Sequence, residues 1–161
     1  MATDRRIEFS QNWFRRAHDS SDPFDRFFYA WIALVVAAKR ISNRREDRGK
    51  ILEYFSYNHH KVLKAMESNL EHWKALASRR SNRIVTTGNF RRLSEHFREI
   101  NSLPQNELVC EAGRFLNHVR NNLFHGEKVY ESHDDNELLQ LVNPILLTIL
   151  KECEGFVDEG R

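Results

Sequence analysis

Residues 27–38, FFYAWIALVVAA, constrain the fold more than any other stretch. A helix built from a run with almost no polar side chains has no face to offer water, so it must be enclosed on several sides or lie in lipid. Its length, about 18 Å as a helix, falls well short of the roughly 20 residues that a bilayer core requires. The run therefore predicts the central buried helix of a globular bundle. Phe24, Phe27, Phe28, Trp31, Leu34 and Val35 repeat as a core face, and Tyr29, Ile32 and Val36 lie around the sides against neighbouring helices or a second subunit. Just upstream, Asp22 is placed as an N-cap and Pro23 at the first helical position, where its missing N–H costs nothing.

The rest of the chain repeats apolar residues at helical spacing. Ile7, Phe9, Trp13, Phe14 and Ala17 predict a short N-terminal helix over 7–18. Ile41 to Gly49 is a polar break. Ile51, Leu52, Phe55, His59, Val62, Leu63, Met66 and Leu70, then Trp73, Leu76 and Ala77, predict one long helix or two joined near Asn69. Residues 78–89 form a loop, and Phe90, Leu93, Phe97 and Ile100 mark a short amphipathic helix stopped before Pro104. A helix follows from Gln105 to His125, then a linker over 127–133. Asp134 or Asp135 is placed to cap a last helix that Pro144 should kink or mark as a packed bend, with a tail that frays after Gly155. Only 6 Gly and 3 Pro in 161 residues argue against strands and turns, so the expectation is one all-α domain over 1–161, a bundle of about five helices with its core over 22–157. The charged N-terminus lacks the apolar stretch of a secretion signal, so the simplest expectation is a cytoplasmic protein with no membrane span.

Within the penultimate helix, Leu108, Val109, Ala112, Phe115, Leu116, Val119 and Leu123 gather on one side as a core stripe. The opposite side collects Arg114, Asn117, His118, Arg120, Asn121 and His125, yet also Gly113 and Phe124, which implies that something packs there. Gly126 stands where a left-handed residue would end the helix, so His125 falls in its last turn. Arg120 and His125 are about 140° apart on the wheel. Spacing alone supports an ordinary assignment: a histidine interacting with the carbonyls of a helix end, and a solvated or salt-bridged arginine. The same pair also suits phosphodiester chemistry without a metal, because a guanidinium can fork two N–H groups onto phosphate oxygens while an imidazole exchanges a proton near neutral pH.

Arg120-Asn121-Asn122-Leu123-Phe124-His125-Gly126 resembles the Arg-(polar)-x3-His motif of the HEPN superfamily, short all-α domains of many prokaryotic RNases and toxins. The aromatic helix Phe27-Phe28-Tyr29-Ala30-Trp31-Ile32-Ala33-Leu34 and the acidic start Asp134-Asp135-Asn136-Glu137-Leu138-Leu139 are similar to the family's other landmarks, and the likeness covers most of 22–157. It implies a HEPN-like bundle whose motif helices meet across a two-fold axis in a homodimer, which would account for Gly113 and Phe124 on the motif face. It further implies an endoribonuclease that needs no cofactor or metal. His125 would serve as base or acid at the ribose 2′-OH and the leaving 5′ oxygen, Arg120 would stabilise the pentacoordinate phosphate, and Asn121 would orient His125 or bind phosphate, leaving 2′,3′-cyclic phosphate and 5′-OH ends. A toxin or anti-phage role follows from the family, with an antitoxin of nucleotidyltransferase type supplied in trans. Within the same resemblance, the alternative is a non-catalytic interaction module that binds RNA or nucleotides.

Charge is informative only locally. The formal net charge is +2, so an RNA partner must be met by a patch, not by a protein-wide field. Arg79, Arg80 and Arg83, with Arg91 and Arg92 beyond, form a basic run suited to RNA backbone, or alternatively a solvated loop salt-bridged to acidic segments; Arg114 is a further RNA-contacting candidate. His118 and His125, seven apart and nearly aligned, raise a metal-hydrolase alternative that has only Glu111 as a nearby carboxylate. His59 and His60 point about 100° apart on a helix, with no carboxylate three or four positions away, and read as surface or half-buried histidines. Cys110 and Cys153 are too few for a disulfide framework or a zinc site.

Overall fold

The computed structural model describes residues 4–78, 105–124 and 133–157, and every regular element within them is an α-helix. These are α1 (Arg5–Asp19), α2 (Pro23–Ala38), α3 (Asp47–Tyr57), α4 (His59–Ser68), α5 (Leu70–Ser78), α6 (Gln105–Phe124) and α7 (His133–Glu154). The all-α class is as expected, but seven helices occur among the described residues instead of about five. The helix expected over 90–100 lies outside them.

The chain opens with a helical hairpin. Asp4 caps α1 by accepting from Arg6 N at 2.9 Å, and Asp22 caps α2 by accepting from Phe24 N at 2.8 Å, with Pro23 at the first helical position. Arg26 closes the hairpin: its Nε donates to the carbonyls of Ala17 (3.1 Å) and Ser20 (3.0 Å), and its Nη2 to that of His18 (3.2 Å). Carbonyls left over at the end of α1 are thus satisfied by the next helix. Further along, the buried Ser10 hydroxyl donates to Ala33 O at 2.7 Å, a contact that requires α1 to lie close on α2. Alanines permit that approach. Ala30, Ala33, Ala37 and Ala38 are fully buried beside Phe27, Trp31 and Leu34, whereas Phe28, assigned to the core face from its spacing, is 45 % exposed. The buried side of α2 is rotated toward its alanines because α1 covers them.

Two asparagines explain the extra helices. Asn58 and Asn69 are buried and leave helical geometry at φ −103°, ψ 27° and φ −116°, ψ 29°. The Nδ2 of Asn58 donates to Tyr54 O and that of Asn69 to Ala65 O, each at 3.0 Å. Each side-chain amide bonds the i−4 carbonyl where the backbone leaves helical geometry; at Asn58 the backbone N–H shares the Tyr54 carbonyl at 3.0 Å, and at Asn69 it turns to Met66 O at 3.1 Å. The joint near Asn69 was expected; the one at Asn58 was not.

α7 is the hub, touching α1, α2, α4 and α5 through buried Leu138, Leu139, Val142, Ile145, Leu146, Ile149 and Leu150. It spans His133–Glu154, so Asp134 and Asp135 stand within the helix and not at the N-cap position expected of them. The helix runs through Pro144, and Asn143 beside it donates from Nδ2 to Pro23 O at 2.9 Å, tying α7 to the start of α2. Gly155 ends the helix at φ 72°, a left-handed conformation that suits glycine at a C′ position. The fraying expected after Gly155 does not begin there, since Phe156 is 6 % exposed and packs on Phe14 with ring centroids 5.3 Å apart. Arg40 joins the two ends of the described chain, reaching Glu154 Oε1 at 2.7 Å and Asp4 Oδ2 at 3.4 Å. Among the described residues, no helix is long and apolar enough to cross a membrane.

Candidate functional site

α6 carries the motif, and its rotation is fixed by the stripe read from the sequence. Leu108, Val109, Ala112, Phe115, Leu116 and Val119 are all buried, with Leu123 packed partly against the core. Phe115 meets Trp73 of α5 at a ring-centroid distance of 5.8 Å. A helix held by six buried side chains is a rigid mount for whatever projects from its other side.

Much of that other side is covered from within the chain. A Cβ on Gly113 would stand 3.1 Å from Leu52 Cδ2 and 3.2 Å from Phe55 Cδ2 of α3, and Cys110 Sγ lies 3.6 Å from Ser56 Oγ. Going from Cys110 to Gly113 on α6 therefore means going backwards on α3, so the two helices run antiparallel. One turn on, Asn117 is buried as well. The packing inferred for this face is thus provided at Gly113 by α3, which corrects the assignment of that glycine to an interface between two chains.

Arg120 and Asn121 occupy the last turns of α6. Both are half-buried, and the Nε of Arg120 is shielded from solvent. Arg120 Nη1 donates to Asn121 Oδ1 at 3.0 Å. Adjacent helical residues point about 100° apart, so this bond exists only because the long arginine folds across the helix surface. Asn121, expected to orient His125 or bind phosphate, spends its amide oxygen on fixing one edge of the guanidinium. Arg114 is exposed two turns earlier and His118 is half-buried. His125 and Gly126 lie outside the described residues, as do Arg79, Arg80 and Arg83; of the motif, the structure brings together Arg120 and Asn121.

Other chemistry-bearing side chains are placed as follows. The His59 and His60 rings lie 3.9 Å apart between centroids, with His59 Nδ1 3.2 Å from Ser56 O. Among the described residues, no three His, Cys, Asp or Glu side chains converge as metal ligands. Cys153 is buried beside Tyr54; burial, aided by the Glu154 charge, pushes its thiol up to about 12, and burial likewise raises the Tyr54 phenol. A thiol held so firmly in its neutral form is a packing group and not a nucleophile.

The connection from α2 to α3 is also built, though the sequence reading took it only as a polar break. Ser42 is buried and its Oγ accepts from Arg44 N at 3.2 Å. The Ser42 hydroxyl, followed by the Arg44 guanidinium, holds the Glu53 carboxyl below its ordinary value, and Arg44 Nε stands 3.3 Å from Glu53 Oε1. No family model, no curated protein and no solved structure matches the chain.

Proposed function

We propose that this chain is a HEPN-type endoribonuclease, active as a homodimer, that cleaves RNA by attack of the ribose 2′-OH on the adjacent phosphate without a metal. The observation that carries the proposal is the setting of Arg120: half-buried on a helix whose apolar stripe is buried from Leu108 to Val119, with Nη1 fixed by Asn121. A guanidinium positioned before substrate arrives loses less freedom on gripping a phosphate and can stabilise charge that grows in the transition state. His125, five positions on, supplies the proton transfers: the 2′-OH loses its proton as O2′ bonds to phosphorus, and the 5′ oxygen gains one as its bond to phosphorus breaks. Pairing of two chains would bring a second imidazole, so one serves as base and the other as acid. Unrestrained cleavage would harm the cell, which fits a toxin or anti-phage component held by an antitoxin of nucleotidyltransferase type.

The test is incubation of the purified protein with a mixed RNA pool in EDTA, comparing wild type with Arg120→Ala and His125→Ala. Cleavage by wild type that either substitution abolishes supports the proposal. Absence of cleavage, or equal cleavage by His125→Ala, removes it.

One observation favours a second reading, a module that binds RNA or nucleotide without cutting it. Arg120 already donates to Asn121, as a residue with a structural role would. RNA retained without product would identify that case.

A further inference from the structure

The α2–α3 connection holds the densest run of positive charge in the described chain. Between Lys39 and Lys50 stand six cations, Lys39, Arg40, Arg44, Arg45, Arg48 and Lys50, against Glu46 and Asp47, in a protein whose formal net charge is +2. Three of the six are held by carboxylates: Arg40 by Glu154 and Asp4, Arg44 by Glu53, and Lys50 by Asp47 at 3.9 Å. Arg45 and Arg48 are exposed, and among the described residues neither is ion-paired.

Their place in the fold follows from the pairing of α3 with α6. Ser56 opposes Cys110, and Leu52 with Phe55 opposes Gly113. Arg48 stands one turn before Leu52 and shares its helical face, so the antiparallel register carries it level with Asn117. Arg45 lies just before α3, on the connection that enters this same end of the helix. Both exposed arginines thus stand at the end of α3 that the antiparallel packing sets beside the Arg120 end of α6. Ser42, Arg44 and Glu53 brace the connection that presents them.

We propose that Arg45 and Arg48 form a binding surface for the phosphate backbone of single-stranded RNA, leading the strand onto Arg120. This rests on the ribonuclease reading for the destination of the strand, but binding by the two arginines stands or falls separately. A single strand suits the surface because two exposed cations three residues apart can meet neighbouring phosphates of an extended backbone, and contact with phosphates needs no base sequence. Arg79, Arg80 and Arg83 are not needed for it.

The experiment measures anisotropy of a fluorescent single-stranded RNA with His125→Ala protein, which prevents turnover, and with the same protein carrying Arg45→Gln and Arg48→Gln. RNA cleavage is followed in parallel with His125 intact. The double substitution should weaken binding about ten-fold at moderate salt, and lower the slope of log affinity against log salt by roughly 1.4, as two single-strand phosphate contacts imply. Lysine at both positions should restore most of the binding, which loss of folding would not allow. Unchanged affinity and slope in the glutamine variant overturn the surface while leaving the ribonuclease reading intact if wild type still cuts. Weakened binding with no cleavage by any form keeps the surface and removes the ribonuclease. Displacement of the RNA by polyglutamate at equal charge concentration overturns the assignment to nucleic acid.

Discussion

The two halves of α6 share one apolar stripe but differ in what meets the opposite side. At Cys110 and Gly113 that side lies against α3, closely enough that residue 113 has no side chain, and Asn117 one turn on is buried. From Arg120 onward it carries a half-buried guanidinium fixed by a neighbouring amide. The first half positions the helix and the second presents the residues on which the proposed chemistry depends. A helical wheel cannot separate them, because Gly113, Asn117, Arg120 and Asn121 occupy one broad polar sector on it. The separation comes from α3, which extends only as far as Asp47 at that end.

The contrast breaks most sharply under substitution in the second half. Arg120→Ala and His125→Ala should each lower RNA cleavage about 10²- to 10⁴-fold, with melting temperature nearly unchanged, as measured by initial rates and calorimetry. Substitution in the first half should do the reverse. Gly113→Val drives branched carbons into Leu52 and Phe55, and overpacking of this kind costs about 1–3 kcal/mol. At roughly 2–4 °C per kcal/mol for a chain of this size, the thermal midpoint should fall measurably while activity per folded molecule is retained. Gly113→Ala should lie near neutrality. Its Cβ meets neighbours at 3.1 and 3.2 Å, but alanine recovers about 1 kcal/mol of helix propensity.

Away from α6, Ser10→Ala leaves Ala33 O without its 2.7 Å donor and should cost about 1 kcal/mol in a denaturant titration, with no change in cleavage. The smallest effect near neutral pH belongs to Cys153. Its thiol is raised from 9.0 to about 12, so the folded state keeps a proton that the unfolded chain releases. That contribution is complete below about pH 9 and is lost as pH rises toward 12, so the urea midpoint should decline across this alkaline window. Cys153→Ala should flatten the decline.

How far the sequence could be read follows from what each feature depends on. The helical run of α6 through 105–124 and the N-cap of α2 at Asp22 followed by Pro23 are local, and both were legible. Phe28 was misplaced because amphipathic spacing ranks large apolar residues above alanine, whereas close approach of α1 selects the alanines. Asn58 carried a readable signal, an amide inside an apolar-periodic run, but its break depends on a buried bond to Tyr54 O. Phe156 was legible in principle as the apolar residue just past a C′ glycine. Arg45 and Arg48 were passed over because only the antiparallel pairing of α3 with α6 sets their end of α3 beside the C-terminal end of α6. His125, Arg79, Arg80 and Arg83 lie outside the described residues, so the motif's second half rests on its sequence.

The most direct test of the central claim uses one synthetic RNA oligonucleotide in which the single nucleotide 5′ to the cut phosphate carries 2′-deoxyribose. Attack by the ribose hydroxyl requires that oxygen, so cleavage should vanish at that position, persist at others, and leave 2′,3′-cyclic phosphate and 5′-hydroxyl ends there. Cutting at the deoxy position, or ends bearing a 5′-phosphate, would contradict the account.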